Sequence, residues 1–151
     1  MQCPFCSPAF DTAQVVLENA HCVFLQGTEP VLVGSGLIIP KHHRETVFDL
    51  TVEEWRATFD LLHCAKVWID EKYAPDGHNV GWNCGQVGGQ EVMHAHLHII
   101  PRFEDEPLAG KGIRYWLKQD SNARSGQLAL ITGSIARREE QRRERHTDYH
   151  P

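Results

Sequence analysis

Three histidines alternate with apolar residues in the stretch HAHLHII, at His94, His96 and His98. Successive side chains of an extended strand point to opposite faces. A strand over Met93–Ile100 would therefore place the three imidazoles on one face and the intervening residues in the core. An exposed polar strand face is the simplest interpretation, but such faces are usually built from Thr, Ser, Lys, Glu and Arg. Three imidazoles in register favour chemistry instead.

Two kinds of chemistry compete for these histidines. A comb of imidazoles suits zinc, but hydrolytic sites of that kind recruit nearby carboxylates, and the nearest downstream acids, Glu104 and Asp105, follow Pro101. Alternatively, a neutral imidazole attacks phosphorus and forms a covalent phosphoryl- or nucleotidyl-histidine that water then cleaves. The preceding stretch GQVGGQ, residues 85–90, favours the second chemistry, because its glycines let backbone N–H groups approach a phosphate closely.

The remaining motif of chemical interest is the Cys-x-x-Cys pair Cys3 and Cys6, with the other three cysteines scattered along the chain. This distribution favours one metal clamp and buried thiols over a disulfide framework. The net charge of −5 does not indicate a protein that binds nucleic acid. No run of apolar residues is long enough to span a membrane. The N-terminus has no signal-peptide pattern, so we expect a cytoplasmic protein.

The stretch GGQEVMHAHLHIIPR resembles the motif of the histidine triad (HIT) superfamily of nucleotide hydrolases and transferases. Further blocks resemble bacterial members related to dinucleoside polyphosphate hydrolases: CPFC, LIIPKHH, FDLT, PDGHNVGWNCG and PLAGKGIRYWLK. The resemblance implies a homodimer that takes a nucleotide substrate. It also implies an α+β fold with a mainly antiparallel sheet of about five strands and one main helix.

The resemblance also implies roles for individual residues. His96 is the implied nucleophile on the α-phosphorus, and His98 is implied to donate a hydrogen bond to a phosphate oxygen. The implied substrate-binding residues are Asn83, Gly89, Gln90 and Glu91. Glu91 departs from the family pattern, because many members carry Ser or Thr there. The expected ribose-binding position also differs from the family pattern. Many members have an Asn or Asp there, whereas this chain has Gln26 and Gly27.

The zinc-bearing branch of the family implies a structural zinc ion, with the ligands Cys3, Cys6, His43 and His94. Two thiolates and two imidazoles make a closed tetrahedral site, which leaves no open position for catalysis. His42 is a competing ligand that spacing does not exclude. With this assignment His94 binds the metal ion and supports the strand, and His96 and His98 are the catalytic residues.

The resulting expectation is a hydrolase of dinucleoside polyphosphates or nucleoside phosphoramidates that acts through a nucleotidyl-histidine and releases a nucleoside monophosphate. Two alternatives stay open. A nucleotidyltransferase or phosphorylase would pass the nucleotidyl group to phosphate or a sugar. A nucleotide-binding protein would have little turnover because of Glu91 and the altered nucleoside pocket. A metal-dependent hydrolase that uses all three histidines is a more distant possibility.

These residues need a scaffold, and the apolar pattern predicts one. Short strands are expected at 14–17, 21–26, 37–39 and 79–83, in addition to the strand that carries the histidines. Thr51 and Glu54 form a capping box that opens a helix, and Trp55 and Phe59 are expected on its buried face. We predict a HIT domain over residues 1–118 and a charged C-terminal extension over 119–151, either helical or partly disordered.

Overall fold

The computed structural model describes residues 3–6 and 14–124 of the 151-residue chain. The chain divides into two compact units, Met1–Ala109 and Gly110–Pro151. The first contains all strands and the α-helix described below. In the described part of the second, residues 110–124, the regular element is a short 3-10 helix at Asp120–Asn122. Most of the predicted C-terminal extension lies outside the described residues, and the predicted domain boundary at residue 118 stays a prediction.

Five strands form one antiparallel sheet: β1 (Val15–Glu18), β2 (Cys22–Leu25), β3 (Gly36–Pro40), β4 (Gly77–Trp82) and β5 (Leu97–Arg102). Their spatial order is β1-β2-β3-β5-β4, with every neighbouring pair antiparallel. β-Branched and aromatic residues fill these short segments, which suits a pleated, half-buried surface. The predicted α+β fold, with its five-stranded antiparallel sheet and one main helix, is confirmed.

The single α-helix of the described residues, α1, runs over Val52–Tyr73. It begins where the sequence predicted, because the Glu54 N–H donates to Thr51 Oγ1 at 3.2 Å and the Thr51 N–H donates to the Glu54 carboxylate at 2.8 Å. It ends at Ala74, which adopts a left-handed conformation (φ 48°) and is followed by Pro75. Within the described residues, no helix is long and apolar enough to cross a membrane.

The buried face of α1 differs from the predicted one. Trp55 and Phe59 were expected in the core, yet they are 52% and 60% exposed. The helix instead buries the following residues: Glu54, Ala57, Thr58, Leu61, Ala65 and Ile69. Small side chains on this face bring the helix close to the sheet, so its two largest N-terminal aromatic side chains are left on the outer flank.

The two faces of the sheet are different. Alternate strand residues point toward α1, including Phe24, Ile38, Leu97 and Ile99, and form the larger core cluster. On the opposite face, Val23, Leu25 and Ile39 form a second cluster. Gly36 is required where β3 crosses Phe24, because an added Cβ would lie 2.4 Å from the Phe24 ring.

The strand that carries the histidines starts later than predicted. β5 begins at Leu97, and residues 92–94 form a bend in which the His94 N–H donates to the Val92 carbonyl at 2.8 Å. Ala95 then donates to the Arg44 carbonyl at 2.6 Å, instead of pairing with a neighbouring strand. The expectation that all three histidines lie in one strand is therefore wrong, since only His98 lies within β5. The intervening Ala95, Leu97 and Ile99 are buried, as predicted.

Candidate active site and adjoining metal site

Four side chains from distant parts of the chain converge on one point. Cys3, Cys6, His43 and His94 each offer one ligand atom, and these atoms lie within 4.8 Å of one another. His94 Nδ1 lies 3.4 Å from Cys3 Sγ and 3.7 Å from Cys6 Sγ, and His43 Nδ1 lies 3.4 Å from Cys6 Sγ. Tetrahedral zinc, with bonds of about 2.3 Å to sulfur and about 2.0–2.1 Å to nitrogen, places such atoms about 3.5 Å apart. The donor set therefore fits a closed four-coordinate metal site.

The environment of His94 suits a metal ligand. This ring is fully buried, and its Nε2–H donates to the Pro40 carbonyl at 2.9 Å. A carbonyl oxygen only accepts, so in the neutral ring Nδ1 keeps its lone pair and points it at the two thiols. Burial lowers the pKa of His94 below its ordinary value, and this favours the neutral, ligating form.

The two neighbouring histidines after β3 have different surroundings. The His43 ring lies 4.9 Å from the His94 ring, edge to face, within the four-residue cluster. His42 is exposed, and its Nδ1 lies 3.9 Å from a carboxylate oxygen of Glu54. Of the two ligands that spacing left open, the structure brings His43 to the cysteines.

His96 immediately precedes β5, and one hydrogen bond holds its Nδ1 in place. Its Nδ1–H donates to the backbone carbonyl of His94 at 2.7 Å. Nδ1 therefore carries the proton of the neutral ring, and Nε2 carries the free lone pair. This tautomer is the one that a nucleophile or general base requires.

The His98 ring lies beside the His96 ring, with centroids 4.9 Å apart. Its Nε2 is buried and has no hydrogen-bond partner among the described residues. Burial lowers the pKa of His98, the neighbouring His96 lowers it further, and the charge of Glu91 acts in the opposite direction. An unpaired buried imidazole nitrogen costs free energy, so a polar group of a ligand would stabilise it.

The glycine-rich loop before the histidines contains a short 3-10 helix, Gln86–Gly88. Gly89 has a φ of 87°, a left-handed conformation that favours glycine. Its carbonyl accepts a hydrogen bond from the Asn83 side chain at 3.3 Å. Asn83 and Gly89, two of the predicted substrate-binding residues, are thus neighbours at the end of β4.

Gln90 was expected to bind the substrate, but its side chain forms hydrogen bonds to backbone groups of the protein. The side chain is 2% exposed, and its Oε1 accepts from the Gly85 N–H at 2.8 Å. Its amide nitrogen donates to the carbonyls of Glu45 at 2.6 Å and Val92 at 3.1 Å. Both ends of the amide are occupied by backbone, so Gln90 shapes the loop and does not offer a free amide to a substrate. Glu91, the next residue, is exposed.

A cavity of about 350 Å³ opens beside His98, on the face of the sheet opposite α1. Its apolar walls come from strand residues, Leu25, Leu37 and Ile100, and from Phe5 in the cysteine loop. Polar side chains lie along another part of the lining, at Thr28, Glu29 and Ser35. A cleft of this size, lined by both apolar and polar side chains and with a histidine at its wall, is suited to a small organic ligand.

Comparison with known proteins identifies the family. The family profile of the HIT domain matches residues 10–105. The protein named Protein hit of Bacillus subtilis (strain 168) is 32% identical over 126 residues, which are 82% of this chain and 83% of that protein. The chain belongs to the HIT domain family.

Other relatives of this HIT domain include an enzyme. The bis(5'-adenosyl)-triphosphatase of Saccharomyces cerevisiae (strain YJM789) is 35% identical over 96 residues, which are 62% of this chain and 46% of that protein.

Solved HIT structures agree with the fold. A member of the HIT family from Bacillus subtilis superimposes with a TM-score of 0.67 and 30% identity, covering 91% of this chain and 97% of that one. A Zn-bound histidine triad family protein from Mycobacterium smegmatis gives a TM-score of 0.63 and 26% identity, covering 72% of this chain and 81% of that one.

Sequence reasoning missed two contributors to the HIT site. The Pro40 carbonyl orients His94, and a backbone group at a strand end leaves no side-chain pattern to detect. Phe5 lies between the two cysteines, and its ring contacts both His94 and His96. The sequence did contain a signal for Phe5, namely a large aromatic residue inside the four-residue segment Cys3–Cys6. So short a segment has few other side chains that could pack against the protein.

Proposed function

We propose that this HIT domain is a nucleotide hydrolase that cleaves at the α-phosphorus of dinucleoside polyphosphates or nucleoside phosphoramidates. The observation that carries the proposal is the pair of neighbouring imidazoles, His96 and His98, of which His98 lies at the wall of a cavity of about 350 Å³. His96 has a free Nε2 lone pair, and the neighbouring His98 has a buried Nε2 with no partner among the described residues. The family and its bis(5'-adenosyl)-triphosphatase member support the same reaction class.

In the proposed first step, His96 Nε2 attacks the α-phosphorus. A nitrogen–phosphorus bond forms, and the bond from phosphorus to the leaving phosphate oxygen or amine nitrogen breaks with its electron pair on the leaving atom; a leaving amine takes up a proton from solvent. The His98 Nε2–H donates to a non-bridging phosphate oxygen, where negative charge develops. In the second step, the oxygen of water bonds to phosphorus and a proton of the water passes to solvent. The nitrogen–phosphorus bond breaks, its electron pair returns to His96 Nε2, and a nucleoside monophosphate leaves.

The proposed substrate lies with its nucleoside in the cavity beside His98 and its phosphates toward Asn83 and Gly89. The apolar walls suit a base, and the polar side chains of the lining suit a sugar. Gly89, which has no side chain, leaves room for a phosphate to approach the backbone. Glu91 is exposed, and its charge opposes the lowering of the His98 pKa.

We also propose that zinc is the metal held by Cys3, Cys6, His43 and His94. All four positions of a tetrahedral ion would be filled by protein, so the ion supplies structure and no open coordination site. His94 would tie the N-terminal cysteine loop to the segment that carries His96. The thiolate ligands require reduced cysteines, which is consistent with the cytoplasmic location included in this proposal.

The proposal includes a homodimer. β4 is an edge strand of the sheet, with β5 as its only partner among the described strands. Beside it, Trp55 and Phe59 of α1 and Trp82 of β4 line an apolar groove of about 240 Å³. The Trp55 and Trp82 rings stack, with their centroids 6.3 Å apart. A second copy related by a two-fold axis could pair its own β4 antiparallel to this edge and cover the exposed aromatic side chains.

The decisive experiment is a substrate assay with purified protein. Diadenosine triphosphate, diadenosine tetraphosphate and adenosine phosphoramidate are each incubated with and without added phosphate, and AMP release is followed by chromatography. We expect AMP from at least one substrate without phosphate, and none with the His96→Ala variant at unchanged metal content. His63→Ala, which removes an exposed histidine of α1, serves as the matched control and should retain activity.

Other outcomes support other functions. A new phosphorylated product that forms only with added phosphate would favour a phosphorylase. Tight binding of AMP without turnover of any substrate would favour a nucleotide-binding protein. Loss of metal in His96→Ala would support the interpretation in which all three histidines bind one metal ion, and would contradict our assignment.

A further inference from the structure

The loop that carries the two cysteines places an aromatic ring between the metal site and the proposed nucleophile. Phe5 lies one residue before Cys6. Its ring contacts the His96 ring edge to face, with centroids 5.4 Å apart and an interplanar angle of 71°. It also contacts His94, with centroids 6.1 Å apart and an interplanar angle of 74°.

The same ring has two further partners on the face of the sheet opposite α1. It packs against the cluster formed by Val23, Leu25 and Ile39. It also forms part of the wall of the cavity beside His98. One side chain thus contacts a metal-site residue, the proposed nucleophile and the space for the nucleoside.

The His96 ring is 6% exposed, so the side chains packed against it limit its motion. Its Nδ1–H hydrogen bond to the His94 carbonyl fixes one atom, but rotation about that bond direction would still move Nε2. The rings of Phe5 and His98 are the aromatic neighbours that can limit this rotation. A displacement of Nε2 by about 1 Å would be costly, because catalysis requires near-attack geometry.

Within the described residues 3–6, the cysteine loop has one internal backbone hydrogen bond, from the Cys6 N–H to the Cys3 carbonyl at 3.2 Å. The sulfur atoms of Cys3 and Cys6 lie 3.4 Å from Nδ1 of His94 and of His43, respectively. Apolar packing positions the Phe5 ring, and ligation of the two cysteines would hold the backbone on both sides of it.

We infer that Phe5 is a positioning residue that couples the metal site to the active site: ligation of the cysteine loop fixes the Phe5 ring, which in turn holds His96 and completes the cavity wall. This inference rests on the proposed function for its kinetic part. It also gives a binding prediction that does not depend on turnover. Metal occupancy should affect nucleotide affinity, and Phe5 should carry that effect.

The test begins with metal-loaded protein, with substitutions that separate the two contacts of Phe5. Phe5→Leu keeps an apolar wall but removes the edge-to-face ring contact, so kcat should fall about two- to tenfold while KM changes little. Phe5→Ala removes both contacts, so kcat should fall and KM should rise. Metal content and circular dichroism should match the wild type. Phe48→Leu and Phe48→Ala change an aromatic residue that is 84% exposed, and should leave both constants unchanged.

The second arm measures the affinity for AMP by calorimetry, with metal bound and after chelation. Chelation should weaken AMP binding by the wild type about as much as Phe5→Ala does. Chelation of Phe5→Ala should then add little, because both changes remove the same contact. Additive losses would overturn the coupling. If the chelated protein unfolds, the test rests on the kinetics of the metal-loaded variants. A Phe5→Ala variant whose kcat and KM equal those of the wild type would then overturn the inference.

The outcomes separate this inference from the proposed function. An active wild type whose Phe5 variants are indistinguishable from it refutes the coupling and leaves the hydrolase intact. A wild type that binds AMP without turnover, and whose affinity shows the coupling, refutes the hydrolase and retains the inference. A wild type that neither binds AMP nor cleaves any substrate refutes both.

Discussion

Three chemically identical side chains in HAHLHII acquire different properties from their different hydrogen-bonding environments. His94 donates from Nε2 to the Pro40 carbonyl, so its Nδ1 can bind a metal ion. His96 donates from Nδ1 to the His94 carbonyl, so its Nε2 can act as a nucleophile. His98 has a buried Nε2 without a partner among the described residues, which suits contact with a ligand. The tautomer that each backbone carbonyl selects decides which ring nitrogen is available.

The adjacent histidines after β3 give a matched pair for the metal site. We expect His43→Ala to lower the bound zinc substantially, because it removes one of four ligands and leaves a three-donor site. His42→Ala should retain zinc near one equivalent, since that ring lies outside the cluster. Metal content after dialysis, measured by mass spectrometry, checks both. Equal zinc in the two variants would contradict the ligand set.

At the residue scale, the cluster of Cys3, Cys6, His43 and His94 was predicted from the family resemblance, because residues so far apart in sequence show no local pattern that joins them. Spacing alone did not decide between His43 and His42 as the metal ligand, because the two are adjacent in sequence. Only the folded structure shows which ring reaches the cysteines. Gln90 was expected at the substrate, but its amide is occupied by three backbone groups from separate segments. Such long-range hydrogen bonds have no local pattern in a sequence.

At the scale of elements, the N-terminus of α1 supports the segment that carries the histidines. Glu54 is buried and accepts from Arg44 Nε at 2.8 Å and from the Thr51 N–H at 2.8 Å. The Arg44 carbonyl accepts the N–H of Ala95, which lies between His94 and His96. The first turn of the helix is thus connected to the proposed nucleophile through one arginine.

We predict that Glu54→Gln lowers the free energy of unfolding at pH 7 by about 1–3 kcal/mol, as expected for the loss of buried charge-assisted hydrogen bonds. The hydrogen bond from Arg44 lowers the pKa of Glu54 below 4.5, burial opposes this shift, and the Thr51 N–H adds to it. A carboxyl group with a lowered folded-state pKa stabilises the protein above its unfolded-state pKa, and this stabilisation is lost as pH falls through the folded-state pKa.

The difference in stability between wild type and Glu54→Gln should therefore be full at pH 7 and should shrink as pH falls below about 4.5. Urea unfolding at several pH values measures it. Glu71→Gln, an exposed substitution on the same helix, serves as the control and should change stability little at any pH. A difference for Glu54→Gln that is constant from pH 7 to pH 3 would contradict this account.

Strand positions and the capping box were predictable from the sequence because each depends on a few neighbouring residues. The buried face of α1 was not. Helical spacing placed Trp55 and Phe59 on the apolar face, but the helix faces the sheet with a neighbouring stripe that includes Ala57 and Ala65. The start of β5 was also misplaced, since alternation with period two continues unchanged through the bend at residues 92–94.

At the scale of the whole molecule, the exposed aromatic side chains beside β4 bear on assembly. We predict that Phe59→Glu converts a dimer into a monomer, because it places a charge within an apolar interface. Sedimentation velocity at several protein concentrations measures the change.

Val67→Glu is the matched control for this substitution. Val67 is also exposed on α1, but it is not part of the lining of the groove, so the dimer should persist. A wild-type protein that sediments as a monomer, or a Phe59→Glu variant that remains a dimer, would contradict the predicted interface.

The Gln90 amide also has a consequence for motion. It joins the segment after β3 at Glu45, the glycine-rich loop at Gly85 and the bend before β5 at Val92. Segments held by one buried side chain open together, so their amide protons should exchange with solvent at a common rate. We expect Gln90→Ala to accelerate exchange in all three segments at once and to leave the β1–β2 hairpin protected. Hydrogen–deuterium exchange would then define the active-site loops as a single cooperative unit of unfolding.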